Sequence, residues 1–194
     1  MKNKVTIKTL IFIIFVSICF ISFSVFGFIK YSEIKNNVVE KNLDGGKVSL
    51  NYLSDFSFLN KSNQSPLIDS LGIISSDVDG YFDFDVDTEF DNANNISYEL
   101  SLSKVSGTIP DGDIKVYLEK EDSGTYSAVF EPKLFKKINK DSDLGSKKGS
   151  MILVKSSLKK STVDHYRLRT WVSDKSMLST GNYVLEINLV AKAK

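Results

Sequence analysis

The chain has 194 residues, which is enough for one domain of ordinary size and a short appendage. Its formal net charge of +1 hides an asymmetry, because residues 1–30 contain four lysines and no acid, which leaves 21 of the 25 basic residues against all 24 acidic ones in residues 31–194. A mildly acidic remainder with both signs interspersed lacks the basic footprint of nucleic-acid-binding proteins, so no nucleic-acid partner is predicted.

Residues 9–29 form an uncharged apolar stretch. As an α-helix rising about 1.5 Å per residue, it would span about 31 Å, which matches the hydrocarbon core of a bilayer. Lys2, Lys4 and Lys8 precede it, and the positive-inside rule then places the N-terminus in the cytoplasm. We therefore predict that residues 1–30 are a basic start and a transmembrane anchor. The lipid bilayer becomes a partner of residues 9–29, and the protein is a single-pass protein of the cell membrane with an extracellular domain.

A cleaved signal peptide is the competing interpretation of this stretch. Its basic start fits, and residues 22–24 (Ser-Phe-Ser) or 25–27 (Val-Phe-Gly) offer small-residue cleavage sites, although neither matches the A-x-A pattern well. Both interpretations export the rest of the chain. The single cysteine, Cys19, lies inside the stretch, so the exported part has to fold without a disulfide.

Residues 31–47 are polar and lack a sustained period, which predicts a juxtamembrane linker. After them, apolar residues recur at every second position, the pattern of half-buried strands. The predicted inward rows are Val48, Leu50 and Tyr52; Phe82, Phe84, Val86, Thr88 and Phe90; Ile96, Tyr98, Leu100 and Leu102; Ile114, Val116 and Leu118; Tyr166, Leu168, Thr170 and Val172; and Tyr183, Leu185, Ile187 and Leu189. Residues 151–154 read as a central strand, and residues 66–74 fit either a short helix or a turn-rich loop.

Turn-forming residues separate these segments, as at Asp122-Ser123-Gly124. Seven or more short strands with turn signals between them are typical of two antiparallel sheets packed face to face. We therefore predict a mostly β protein in which an antiparallel β-sandwich, of jelly-roll or immunoglobulin-like type, occupies residues 48–194 after one N-terminal transmembrane helix.

Acidic residues crowd residues 77–91, where Asp77, Asp79 and Gly80 resemble the start of a calcium loop that Asp83 could extend. The EF-hand spacing fails, because the glycine comes too early and no glutamate stands at the twelfth position. On a strand, neighbouring side chains of one face lie nearly 7 Å apart, too far for one ion to gather them. The pattern favours a solvated strand face, and no cofactor is predicted.

His165 is the only histidine, so any mechanism that needs an imidazole has to use it. Asp164 is its neighbour in sequence, but adjacent strand residues point to opposite faces, so Asp164 would not orient the ring. Neither a nucleophile elbow nor a zinc motif accompanies it. No catalytic residues are predicted.

His165, Arg167, Arg169 and Trp171 share one face of a predicted strand. Such a row could bind a carboxylate, a glycan or a protein partner through cation–π and stacking contacts. The alternative is that these bases pair across strands with acidic residues of a neighbour, the aspartate row of residues 81–90 being one candidate. The row is the predicted ligand or partner face.

Three segments resemble parts of known exported proteins: ISYELSLSKVSG (Ile96 to Gly107), DHYRLRTWVSD (Asp164 to Asp174) and NYVLEINLVAKAK (Asn182 to Lys194). The second contains an alternating Tyr-x-Leu-Arg-x-Trp pattern. Together they are similar to the TasA/camelysin-like family of Firmicutes, exported jelly-roll proteins that supply biofilm-matrix fibres and surface proteins. The likeness covers about half of the chain, and its motifs are structural. The Ala-Tyr-Phe signature that often follows the signal segment in that family is absent.

These observations predict a non-catalytic, membrane-anchored module of a bacterial cell surface, with a protein or the cell wall as its partner. The first alternative is a secreted matrix or filament subunit that signal cleavage releases and that pairs through edge strands. The second alternative is a metal-dependent exported enzyme, which would require Asp77, Asp79 and Asp83 to hold an ion or His165 to act as a base.

Overall fold

Residues 38–52, 58–74 and 81–194 are described by the computed structural model, and they belong to one compact unit that begins at Asn37. The predicted transmembrane helix lies outside these ranges. Within them the chain is mostly β. The strands are β1 (Val38–Leu43), β2 (Gly46–Tyr52), β3 (Phe58–Gln64), β4 (Pro66–Leu67), β5 (Tyr81–Phe90), β6 (Ile96–Gly107), β7 (Ile114–Asp122), β8 (Thr125–Leu134), β9 (Met151–Leu158), β10 (Thr162–Ser173) and β11 (Gly181–Ala193). One short helix, α1 (Asp69–Ile74), precedes β5, and a 3₁₀ turn (Phe135–Lys137) follows β8.

The strands form two sheets. The first has the order β1-β2-β5-β10-β7-β8, with every neighbour antiparallel, and β4 adds a short parallel pairing to the end of β10. The second has the order β3-β11-β6-β9 and is antiparallel throughout. The prediction of a mostly β chain with antiparallel sheets is confirmed.

The inward faces of the two sheets contribute to one hydrophobic core. Phe84 and Tyr166 stack within the first sheet, with ring centroids 5.5 Å apart. Hydrogen bonds also join the sheets, because the Tyr52 hydroxyl donates to the Ile187 carbonyl over 3.2 Å. The alternating rows predicted from the sequence are the rows that lie in this core, since period-two alternation places one side of each strand away from water.

The structure differs from the predictions in four strands. Residues 151–154, predicted as a central strand, lie in β9 at the edge of the second sheet. β1 lies inside residues 31–47, which the sequence indicated as a linker, and it pairs with β2 along its whole length. β3 and β8 were not predicted, because neither has a regular apolar alternation. Residues 66–74, where a helix and a loop fitted equally well, contain both β4 and α1. None of the helices in the described ranges is long and apolar enough to cross a membrane.

Candidate functional site

The predicted row on β10 lies directly opposite the acidic row on β5. The register places His165 opposite Asp85 and Arg167 opposite Asp83. Directly opposed residues of an antiparallel pair have their Cβ atoms about 5 Å apart, close enough for side chains of opposite charge to meet. Cross-strand pairing with the aspartate row, which the sequence left open as the alternative, is confirmed.

Arg167 is the centre of this face. Its Nε and Nη2 atoms donate to the two carboxylate oxygens of Asp83, each over 2.8 Å. The guanidinium carbon also lies 4.2 Å from the ring centroid of Tyr81 and 4.1 Å from that of Tyr126. A bidentate carboxylate and two aromatic faces hold one planar cation, so contacts within the sheet already position this stack. Its pKa is raised, chiefly by the hydrogen bond to Asp83.

His165 continues the row toward the start of β10. Its Nδ1 atom lies 2.7 Å from Oδ1 of Asp85, and almost half of the His165 side chain remains exposed. The hydrogen bond to Asp85 raises the pKa of the imidazole, although partial burial opposes this. The ring is therefore held by β5, and Asp164 points to the opposite face, as the strand geometry predicted.

Arg169 and Trp171 are buried, which reduces the accessible part of the predicted face. Arg169 donates from Nε to Glu119 of β7 over 2.8 Å. Trp171 is 2% exposed because α1 covers it, and a Cβ atom on Gly72 would overlap the indole ring. The accessible face consists of His165 and Arg167 with the two tyrosines. The prediction of a four-residue surface row is wrong for Arg169 and Trp171, which are buried.

The calcium candidates are not brought together in the part of the chain that is described. Asp77 and Asp79 lie outside the described residues, and Asp83 is engaged by Arg167. Among the described residues, no group of three or more His, Cys, Asp and Glu side chains is arranged to hold a metal ion.

Glu99 of β6 organises a second polar cluster that the sequence did not reveal. It is 1% exposed, and its Oε1 atom accepts from the backbone N–H groups of Asp143 (2.6 Å) and Leu144 (3.2 Å). Its Oε2 atom accepts from the hydroxyls of Ser142 and Ser146. Burial opposes ionisation, but these four hydrogen bonds outweigh it and lower the pKa of Glu99. The sequence did not reveal this cluster, because alternation predicts that Glu99 faces outward, where acidic residues are common.

A third polar cluster joins the sheets. The Tyr98 hydroxyl donates to Asp164 over 2.8 Å and lies 3.1 Å from the Tyr166 hydroxyl. Lys120 completes the cluster with an ion pair to Asp164 at 2.8 Å. Burial raises the pKa of Tyr166 to about 12. The phenols therefore stay neutral and serve as hydrogen-bonding groups between sheets.

Comparison of the chain with protein-family models, with curated proteins and with solved structures finds no match. The resemblance to TasA/camelysin-like proteins stays a prediction.

Proposed function

We propose that this protein is a membrane-anchored cell-surface module whose extracellular part is a β-sandwich and whose role is to contact a protein partner. The observation that carries the proposal is the Tyr81–Arg167–Tyr126 stack on the outer face of the first sheet. Tyrosine and arginine are enriched among the residues that contribute most to protein–protein binding. Because the stack is already ordered, a partner would lose little conformational entropy in binding it.

The cellular part of the proposal rests on residues 9–29 and on the lysines before them. The test uses the full chain in a Gram-positive host. Mass spectrometry of the N-terminus and a membrane-impermeant maleimide report topology, with Lys160→Cys, in the exposed turn before β10, as the label site in a Cys19→Ser background. We expect an intact N-terminus and labelling of intact cells. Labelling only after lysis would contradict an extracellular domain.

The partner face is tested by photo-crosslinking in the same cells. A photoreactive phenylalanine analogue replaces Tyr126, and the matched control replaces Asn60, an exposed residue of β3 in the other sheet. We expect a discrete protein adduct from position 126 and none from position 60. Equal adducts from both positions, or none from position 126, would argue against this face.

The second candidate is a secreted matrix or filament subunit. It is favoured by β8, a ten-residue strand at the end of the first sheet in which most residues are exposed. An edge strand with unpaired backbone groups can add a strand from another chain. A mature N-terminus near Val25 or Phe28, found together with ordered fibres in the medium, would favour this candidate over the anchored module.

A further inference from the structure

Exposed apolar side chains gather where β10 ends. We define the end patch as the exposed residues Ile68, Leu71, Ile74, Met177 and Leu178. Its two parts are neighbours because β4 runs parallel to the end of β10, pairing Pro66 with Val172 and Leu67 with Ser173. The chain continues from β4 into α1 and from β10 into the loop before β11, so these two segments begin side by side.

The helix α1 is oriented in the reverse of the usual sense. A surface helix normally buries its apolar row and exposes its polar side chains. Here Gly72 faces Trp171, whereas Leu71 and Ile74 face solvent. An ion pair between Asp69 and Lys115, at 2.9 Å, and the Trp171 contact fix the helix in this position. The exposed row is therefore held in place by packing beneath it and is available to an apolar surface.

The direction of β1 indicates what that surface is. Val38 lies at the level of His165 in the first sheet, through the pairings Val38–Asn51, Asn51–Asp85 and Asp85–His165. Because β1 runs opposite to β10, Val38 is at the end of β1 that points toward the side of the sheet where β10 ends. From His165 to Ser173 the strand rises about 26 Å. The end patch therefore lies about 26 Å along the sheet from the level of Val38.

The chain between the apolar stretch and β1 is short. Residues 30–37 are eight residues, and eight residues reach at most about 26–29 Å when fully extended. This reach is close to the distance of about 26 Å between the level of Val38 and the end of β10. If residues 9–29 span a bilayer, so short a connection favours an orientation in which the end of the first sheet meets the membrane surface. The five apolar side chains then face the interface between headgroups and acyl chains.

We infer that the end patch docks on the outer surface of the bilayer from which the chain emerges, so that α1 and the loop before β11 lie in the headgroup region. This inference rests on the membrane anchor of the proposed function. Partial burial of a few apolar side chains binds a membrane only weakly by itself. The short connection compensates, because it keeps the patch at a high effective concentration next to the lipid. Docking holds the Tyr81–Arg167–Tyr126 face at a fixed height above the membrane.

The test places fluorophores on single cysteines in the full-length chain, in a Cys19→Ser background. Ile74→Cys and Met177→Cys report the end patch. Val163→Cys is the control, because Val163 is also an exposed apolar residue, at 50%, but lies at the other end of β10. The proteins are reconstituted in vesicles of phosphatidylcholine and phosphatidylglycerol, with or without a spin-labelled lipid that quenches nearby fluorophores.

We expect the quencher lipid to lower fluorescence at positions 74 and 177 by about twofold or more, since docked apolar side chains are buried about 5–10 Å into the boundary between headgroups and acyl chains. Position 163 should not respond. A fluorophore on the native Cys19 separates the two proposals. If Cys19 is quenched but positions 74 and 177 are not, the docking inference is overturned and the anchor stands. If Cys19 is not quenched, the anchor fails and the inference fails with it. If position 74 is not quenched and unlabelled Ile74→Cys chains instead form a disulfide with each other, the patch contacts a second copy and lipid docking is overturned.

Discussion

Among single residues, Glu99 is predicted to contribute strongly to stability. Its carboxylate accepts four hydrogen bonds from residues 142–146 while it is 1% exposed. Glu99→Gln keeps the shape of the side chain but removes its charge. The amide NH₂ group, a hydrogen-bond donor, would then face the donors of residues 142–146. Since a buried hydrogen bond to a charged group contributes about 1.5–3 kcal/mol, we expect the free energy of unfolding to fall by about 1–3 kcal/mol. Urea denaturation at pH 7 measures this.

The pH dependence of the same variant has a defined sign. The pKa of Glu99 is lowered on folding, so its contribution is present above the ordinary glutamate pKa of about 4.3 and disappears as the pH falls through the folded value. The stability difference between the wild type and Glu99→Gln should therefore be constant near neutrality and shrink in acid. Glu131→Gln, on the exposed edge strand β8, is the control and should change stability by less than about 0.5 kcal/mol. A Glu99→Gln protein as stable as this control would contradict the assignment.

His165 gives a second test at this scale, because it is the only histidine and its imidazole proton signals can be followed by NMR without assignment. The Asp85 hydrogen bond raises its pKa, so the pair stabilises the fold below the ordinary histidine pKa and loses this contribution as the pH rises through the folded value. We expect Asp85→Asn to lower the pKa of His165 toward that of a free imidazole. Asp87→Asn, which alters the acid opposite Val163, should change it little. Equal titration curves of His165 in the wild type and in Asp85→Asn would show that Asp85 does not raise the pKa of the imidazole.

At the scale of elements, predictability followed the degree of alternation. β5 and the first half of β10 are buried mainly on one face, and their inward rows were predicted residue by residue. β8 was not predicted, because it is an edge strand exposed on much of both faces and therefore needs no alternation of apolar and polar residues. β1 escaped for a similar reason, since Val39 and Leu43 are only partly buried against the core. The sequence indicates strands where burial is one-sided, and strands at edges leave a weaker record.

The candidate face was predicted in part. The residues of β10 and the acids of β5 were recognised, because alternation identifies which side chains share a face. Tyr126 and Glu119 were not recognised, since their place near Arg167 and Arg169 depends on the strand order, in which β7 is next to β10 and β8 is next to β7. The burial of Trp171 depends on α1 folding back over the sheet. Such long-range placement is set by tertiary packing and has no local signature.

The contact between α1 and Trp171 yields the element-scale prediction. A methyl group at position 72 would overlap the indole ring, so Gly72→Ala should displace the helix and destabilise the domain by about 1–3 kcal/mol. Because Trp171 is the only tryptophan, its emission should shift to longer wavelength as water reaches it. Ser70→Ala, at an exposed position of α1, is the control and should leave the emission unchanged. An unshifted emission in Gly72→Ala would show that the helix tolerates the methyl group, against the geometry described above.

At the scale of the whole molecule, the boundary of the folded domain can be tested directly. The sequence favoured a start at Val48, whereas β1 places the start near Asn37. Removing β1 breaks its ladder with β2, uncovers Val39 and Leu43 contacts in the core and exposes a new sheet edge. We expect a chain of residues 48–194 to lose at least about 2 kcal/mol relative to residues 37–194, which lowers Tm by about 4–8 °C for a domain of this size. Calorimetry and analytical ultracentrifugation measure both effects, and the shorter chain should also self-associate through β2. If the two chains melt together and both stay monomeric, β1 is dispensable and the domain begins where the alternation begins.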